Sequence, residues 1–139
     1  MVHGVKLFRF EGFSMFPFLR PADRLVVKTG TNLPLAVGTV VLFNNDGRSG
    51  PGGVVVHRIV RATPEGRFIT KGDNMKKPDQ RLLSTGDIAG VVVMVLRRRR
   101  LKPLTGALAR GMARVIAALS RHNLTPALVG TILKKGAWR

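Results

Sequence analysis

The chain has 139 residues, 45% of them hydrophobic, with 24 Lys and Arg against 7 Asp and Glu, a formal net charge of +17. That length supports one domain with a single core. The lack of cysteine excludes a disulfide framework, a cysteine nucleophile and a thiolate metal site, and His3, His57 and His122 stand too far apart for metal-ligand spacing, so no metal or cofactor is expected.

In chain order, the first two thirds read as β. Val5 to Phe10, Asp23 to Lys28, Val40 to Phe43, Val54 to Val60, Arg67 to Thr70 and Ile88 to Leu96 are short runs rich in Val, Ile, Leu and Phe. Asn44-Asn45-Asp46-Gly47 and Pro64-Glu65-Gly66 carry turn chemistry, and Ser49 to Gly53 reads as a loop. Val91-Val92-Val93-Met94-Val95 lacks alternation, which predicts a strand buried on both faces or at the centre of the domain.

From Arg97 the pattern changes. Residues 1–96 hold 13 Lys and Arg against 7 acids, whereas residues 97–139 hold 11 Lys and Arg and no acid. The run Arg97-Arg98-Arg99-Arg100 therefore marks the expected boundary between a β-rich domain, 1–96, and a basic tail, 97–139. In the tail Leu104, Leu108, Met112, Val115, Ile116 and Leu119 recur at helical spacing, with Arg110, Arg114 and Arg121 on the other side. Thr125-Pro126 reads as the start of a second short helix. Arginines interrupt the first helix and the second is too short, so neither is expected to span a membrane. Met1 to Phe10 reads as a strand and not as a secretory signal. An amphipathic basic helix suits an anionic membrane surface, and the absence of interleaved aromatics makes nucleic acid a poor match.

Four ordered segments carry the chemistry: Gly12-Phe13-Ser14-Met15-Phe16-Pro17, Val56-His57-Arg58-Ile59-Val60, Thr70-Lys71-Gly72-Asp73-Asn74 and Gly86-Asp87-Ile88-Ala89-Gly90. They supply a serine nucleophile, a histidine base and two acids able to orient that base, the three roles of activated-serine chemistry. The order Ser, His, Asp is no objection, because such triads are defined by geometry. An ordinary imidazole titrates near ~6.5 and so accepts a proton at neutral pH. Lys71 is a rival base. Asp79 and Asp73 both remain candidates for orienting the histidine.

These segments resemble the type I signal peptidase family, which shares its catalytic fold with LexA-type self-cleaving repressors. Gly12-x-Ser14-Met15-x-Pro17 is similar to the family's nucleophile segment, Asp23 to Val27 and Gly38 to Phe43 to the strands that follow, and His57-Arg58 to the base segment of the archaeal, endoplasmic-reticulum and sporulation branch. The resemblance implies a mainly β, coiled β catalytic domain carrying a basic α-helical tail, and a serine endopeptidase that cleaves a leader or signal segment. It implies Ser14 as nucleophile, His57 as base, and Asp79, six residues after Asp73, as the acid that orients it. It also implies that Asp73 pairs with Arg58 to tie two strands. Gly12 stands where many members have a serine that helps hold the oxyanion, so the hole falls to backbone N–H groups, first that of Ser14. Met15 and Pro17 are expected to shape the turn and the cleft wall. The substrate implied is a polypeptide bound as an extended strand with small side chains at the cut. Family members usually have an N-terminal membrane anchor, a pattern not expected here because Met1 to Phe10 reads as a strand. The competing expectation is a LexA-like or nucleic-acid-associated protein that uses the fold and basic tail for binding, and a third is an inactive binding module.

Overall fold

A computed structural model describes residues 4–45 and 53–104. The Ser49 to Gly53 loop, all but its last residue, and both tail helices lie outside the described residues. Within them seven strands form one antiparallel sheet: β1 (Gly4–Arg9), β2 (Arg24–Thr29), β3 (Val40–Asn44), β4 (Val54–Ala62), β5 (Phe68–Lys71), β6 (Ile88–Arg97) and β7 (Arg100–Pro103). Their order is β1-β2-β6-β3-β4-β5, with β7 also paired to β6. The helical content of the described residues is one 3-10 turn, Thr85–Asp87. The protein is mainly β.

The unalternating run of β6 follows from its place between β2 and β3. Its residues feed cores on both faces of the sheet. Val91 joins Val41, Phe43, Ile59 and Leu83 on one side, while Val92 and Val95 join Leu25, Val27, Leu42 and Met15 on the other. Gly90 allows β2 to approach, because a Cβ there would collide with the Val27 side chain. Fully burying each such aliphatic side chain contributes roughly 1.5–3 kcal/mol, so this double-sided core supplies most of the driving force.

The sheet does not stop at residue 96. β6 turns through Arg98 and Arg99 into β7, pairing Arg97 with Arg100 and Met94 with Pro103. Both turn residues have left-handed backbone, φ 48° and 62°, which a two-residue hairpin loop needs if its twist is to match the strands. The arginine run is therefore a hairpin and not a linker. Arg97 is not a solvated charge either: its Nε and Nη2 donate to the Asp23 carboxylate at 2.8 and 2.6 Å, and Nη2 also donates to the Phe18 carbonyl at 3.0 Å. Beyond β7, Leu104 packs against the core and donates its N–H to the Val93 carbonyl at 2.8 Å. The expected boundary at this run was drawn on charge, and the hairpin escaped notice because a charged two-residue turn lacks the usual Asn-Gly signal.

Candidate active site

His57 lies on β4 between Val56 and Arg58, and the strand's alternation sends it and Arg58 to opposite faces. Residues opposite each other in register share a face. His57 is opposite Val41 on β3, and Ile59 is opposite Thr70 on β5, so His57 and Thr70 emerge on one side. Arg58 is opposite Lys71, and both point to the other side. The rival base Lys71 is thus directed away from the His57 ring. Its side chain is fully buried, and burial pushes its ammonium below the usual lysine range, with Asp73 and Asp79 acting against that shift.

The chain after β5 brings Asp79 back beside Thr70, its N–H donating to the Thr70 carbonyl at 2.8 Å. That return places Asp79 Oδ2 2.6 Å from His57 Nδ1. The hydroxyl of buried Thr70 donates to the same oxygen at 2.6 Å. With Nδ1 committed as the donor to a carboxylate, neutral His57 presents its Nε2 lone pair as acceptor. Phe43 packs edge-on against the imidazole, with ring centroids 6.2 Å apart, which further restricts ring rotation.

Asp73 does different work. Its carboxylate takes Nε and Nη2 of Arg58 at 3.0 and 2.9 Å, and Arg58 Nη1 donates to the Gly38 carbonyl at 2.8 Å. Both partners are buried, a bidentate pair that fixes β4 to the Gly72-Asp73-Asn74 segment. Geometry thus separates two acids that the residue pattern left open.

The same segment positions the turn that holds Ser14. Asn74 donates its N–H to the Ser14 carbonyl at 2.8 Å, and its Nδ2 donates to the Phe13 carbonyl at 3.1 Å. A Cβ added to Gly72 would sit 2.7 Å from the Ser14 carbonyl oxygen and 3.1 Å from His57 Nε2. The Ser14 carbonyl, His57 Nε2 and the Met75 side chain therefore all close on one glycine, and no side chain fits there. Among the described residues the Ser14 hydroxyl makes no hydrogen bond, so its contact with Nε2 is not formed. Catalytic contacts of this kind commonly tighten when substrate binds. Within the turn, Phe16 N–H donates to Phe13 and both Phe18 and Leu19 donate to Met15. Among the described residues no backbone carbonyl takes the N–H of Ser14 or Met15, and these N–H groups are the candidate oxyanion donors.

Met15 departs from expectation in one respect. Its side chain is wholly buried in the core, so it anchors the turn from below instead of lining a cleft. Its neighbour Phe13 is the exposed aromatic, 64% accessible. A Cβ at Gly12 meets nothing within 4 Å, so glycine is not forced there by packing. Two hollows flank the site. One, of about 520 Å³, is lined by Phe43, Val55, His57, Asp79, Gln80 and Arg81. The other, of about 690 Å³, lies against Phe13, Phe16, Pro21 and Arg97. Ser14 lines neither, standing in its turn by Gly72. Among the described residues no three His, Cys, Asp or Glu side chains come together as a metal site.

Sequence reasoning passed over Thr70 and Asn74, although both fall inside a segment it singled out. A threonine or asparagine beside Gly-Asp reads as turn chemistry, and only the return of Asp79 gives Thr70 its partner. No protein-family model and no curated protein matches this chain.

Proposed function

We propose that the chain is a serine endopeptidase of the signal peptidase type, with Ser14 as nucleophile, His57 as general base and Asp79 as the acid that orients it. The observation that carries this reading is the hydrogen bond from His57 Nδ1 to Asp79, which leaves Nε2 as the acceptor beside Gly72, the residue on which the Ser14 carbonyl also closes. When a peptide carbonyl reaches Ser14, the Oγ attacks it as Nε2 takes the hydroxyl proton. The tetrahedral oxyanion is met by backbone N–H groups of the nucleophile turn, with no side-chain donor needed at Gly12. Nε2 then returns the proton to the departing amine, and water hydrolyses the acyl-enzyme by the same route. Asp79, steadied by Thr70, stabilises the imidazolium that forms between the two transfers.

The substrate in this reading is a leader or signal segment held as an extended strand, with small residues at the cut. The basic tail holds the enzyme to an anionic membrane surface; among the described residues no helix is long and apolar enough to cross a membrane. Mass spectrometry of a signal-like peptide incubated with the full chain tests the chemistry. The parent protein should cut at one bond next to a small residue, and Ser14→Ala, folded by circular dichroism, should lose essentially all turnover. Equal turnover in that variant refutes the serine mechanism.

A further inference from the structure

The larger of the two hollows beside the site, of about 690 Å³, has a wall and a charge that the proposed chemistry does not use. Phe13 and Phe16, on either side of Ser14 in its turn, supply the apolar wall, with ring centroids 6.0 Å apart and planes tilted by 51°. The charged lining is Arg20, Arg97 and Arg98 against the single carboxylate of Asp23. Both oxygens of that buried carboxylate are engaged. Oδ1 accepts from Arg97 Nε at 2.8 Å, and Oδ2 accepts from Arg97 Nη2 at 2.6 Å and from the Arg20 backbone N–H at 2.8 Å.

Charge is therefore in excess on one side of the hollow. Among the described residues Arg97 Nη1 has no acceptor, and Arg98, exposed on the β6–β7 turn, forms no ion pair. Burial, then the Arg97 charge, pushes the Arg20 guanidinium below its usual range; Asp23 opposes the shift and Arg98 adds to it. Three guanidiniums, one carboxylate and an aromatic wall are complementary to a second carboxylate carried on a short aliphatic stem. Residues 97–139 hold no Asp or Glu, so no side chain of the basic extension supplies one. A strand laid past Ser14 advances about 3.3 Å per residue, which brings a side chain a few residues from the cut to a hollow that Phe13 and Phe16 line. We propose that this hollow is a specificity pocket for an Asp or Glu side chain of the polypeptide substrate, its carboxylate meeting Arg97 and Arg98 and its methylenes resting on the Phe13 and Phe16 rings. The assignment of the occupant as substrate rests on the peptidase reading above.

The test reads binding apart from cleavage. In the full-length Ser14→Ala chain, fluorescence anisotropy gives the Kd of labelled alanine-rich peptides in which one Glu is walked through successive positions, each beside its Gln counterpart. At one position Glu should bind about tenfold tighter than Gln. Arg98→Glu should erase that preference, whereas Arg67→Glu, the same change of charge at an exposed residue before β5, should keep it. With Ser14 intact, the same Glu should lower KM and leave kcat nearly unchanged. Equal binding of Glu and Gln at every position would overturn the proposal. So would a Glu preference that is uniform along the peptide or lost equally in both variants, because it would mark general attraction to a chain of net charge +17. Binding that depends on position and on Arg98, in a protein that cuts nothing, would overturn the peptidase reading and leave the hollow as a carboxylate site.

Discussion

Two acids six residues apart, Asp73 and Asp79, have different structural partners, and the difference predicts how their variants fail. Asp79→Asn keeps a polar group beside His57 but removes the charge that holds the Nδ1–H tautomer and stabilises the imidazolium. Turnover should fall by roughly a thousandfold or more with little loss of stability. Asp73→Asn leaves buried Arg58 with an incomplete partner, and removing one member of a buried pair costs about 3 kcal/mol; urea denaturation should register that loss. A stable, inactive Asp73→Asn protein beside an active Asp79→Asn protein would exchange the two roles. Thr70 adds a third case. Thr70→Val keeps the branched shape but removes the hydroxyl that Asp79 Oδ2 accepts, a bond to a charged group contributing about 1.5–3 kcal/mol. The kcat should drop about tenfold or more with KM nearly unchanged, and Thr70→Ser should restore it. A purely structural threonine would instead lower the urea midpoint and leave the pH profile of kcat unmoved.

Among the elements, the β6–β7 hairpin is the one built against local preference. Arg98 and Arg99 both adopt positive φ, a conformation that costs roughly 1–2 kcal/mol for a residue with a Cβ and almost nothing for glycine. Arg98→Asn with Arg99→Gly should therefore raise unfolding stability by about 1 kcal/mol, as measured by urea denaturation. A destabilised double variant would mean that the arginine side chains hold the hairpin through contacts of their own. The hairpin also reaches the nucleophile turn: Arg97 grips Asp23 and the Phe18 carbonyl, and Met15 anchors the turn in the core beneath the sheet. Strands far apart in sequence, β4, β5 and β6, thus fix the residues on either side of Ser14.

At the scale of the whole molecule, the charge divides between a β sheet and a basic extension. Because the sheet continues through β7 and Leu104 packs on the core, a cut that isolates the β domain belongs after residue 104 and not after 96. The 1–104 protein should fold and retain peptidase turnover while losing much of its affinity for anionic vesicles in sedimentation at low salt, the share carried by six basic residues of the tail. A shortened protein that is unstable would show instead that the apolar stripe from Leu108 to Leu119 serves as ordinary core. Full vesicle binding by 1–104 would show that the tail is not the membrane contact.

By itself the sequence determined the class of the fold, because short runs of Val, Ile and Phe between turn residues have few other uses, and the segments that hold Ser14, His57 and both acids. It foresaw the central strand, since the Val91 to Val95 run has no polar face to expose. Tertiary structure decided what depends on register and on the return of the chain. Which acid meets His57 is set by the path after β5, which carries Asp79 beside Thr70. That Lys71 points away is set by strand alternation and its pairing with Arg58. The hairpin at Arg98-Arg99 and the burial of Met15 were hidden for one physical reason: residue type reports local preference, whereas long-range pairing with β6 and with the core overrode it at both places.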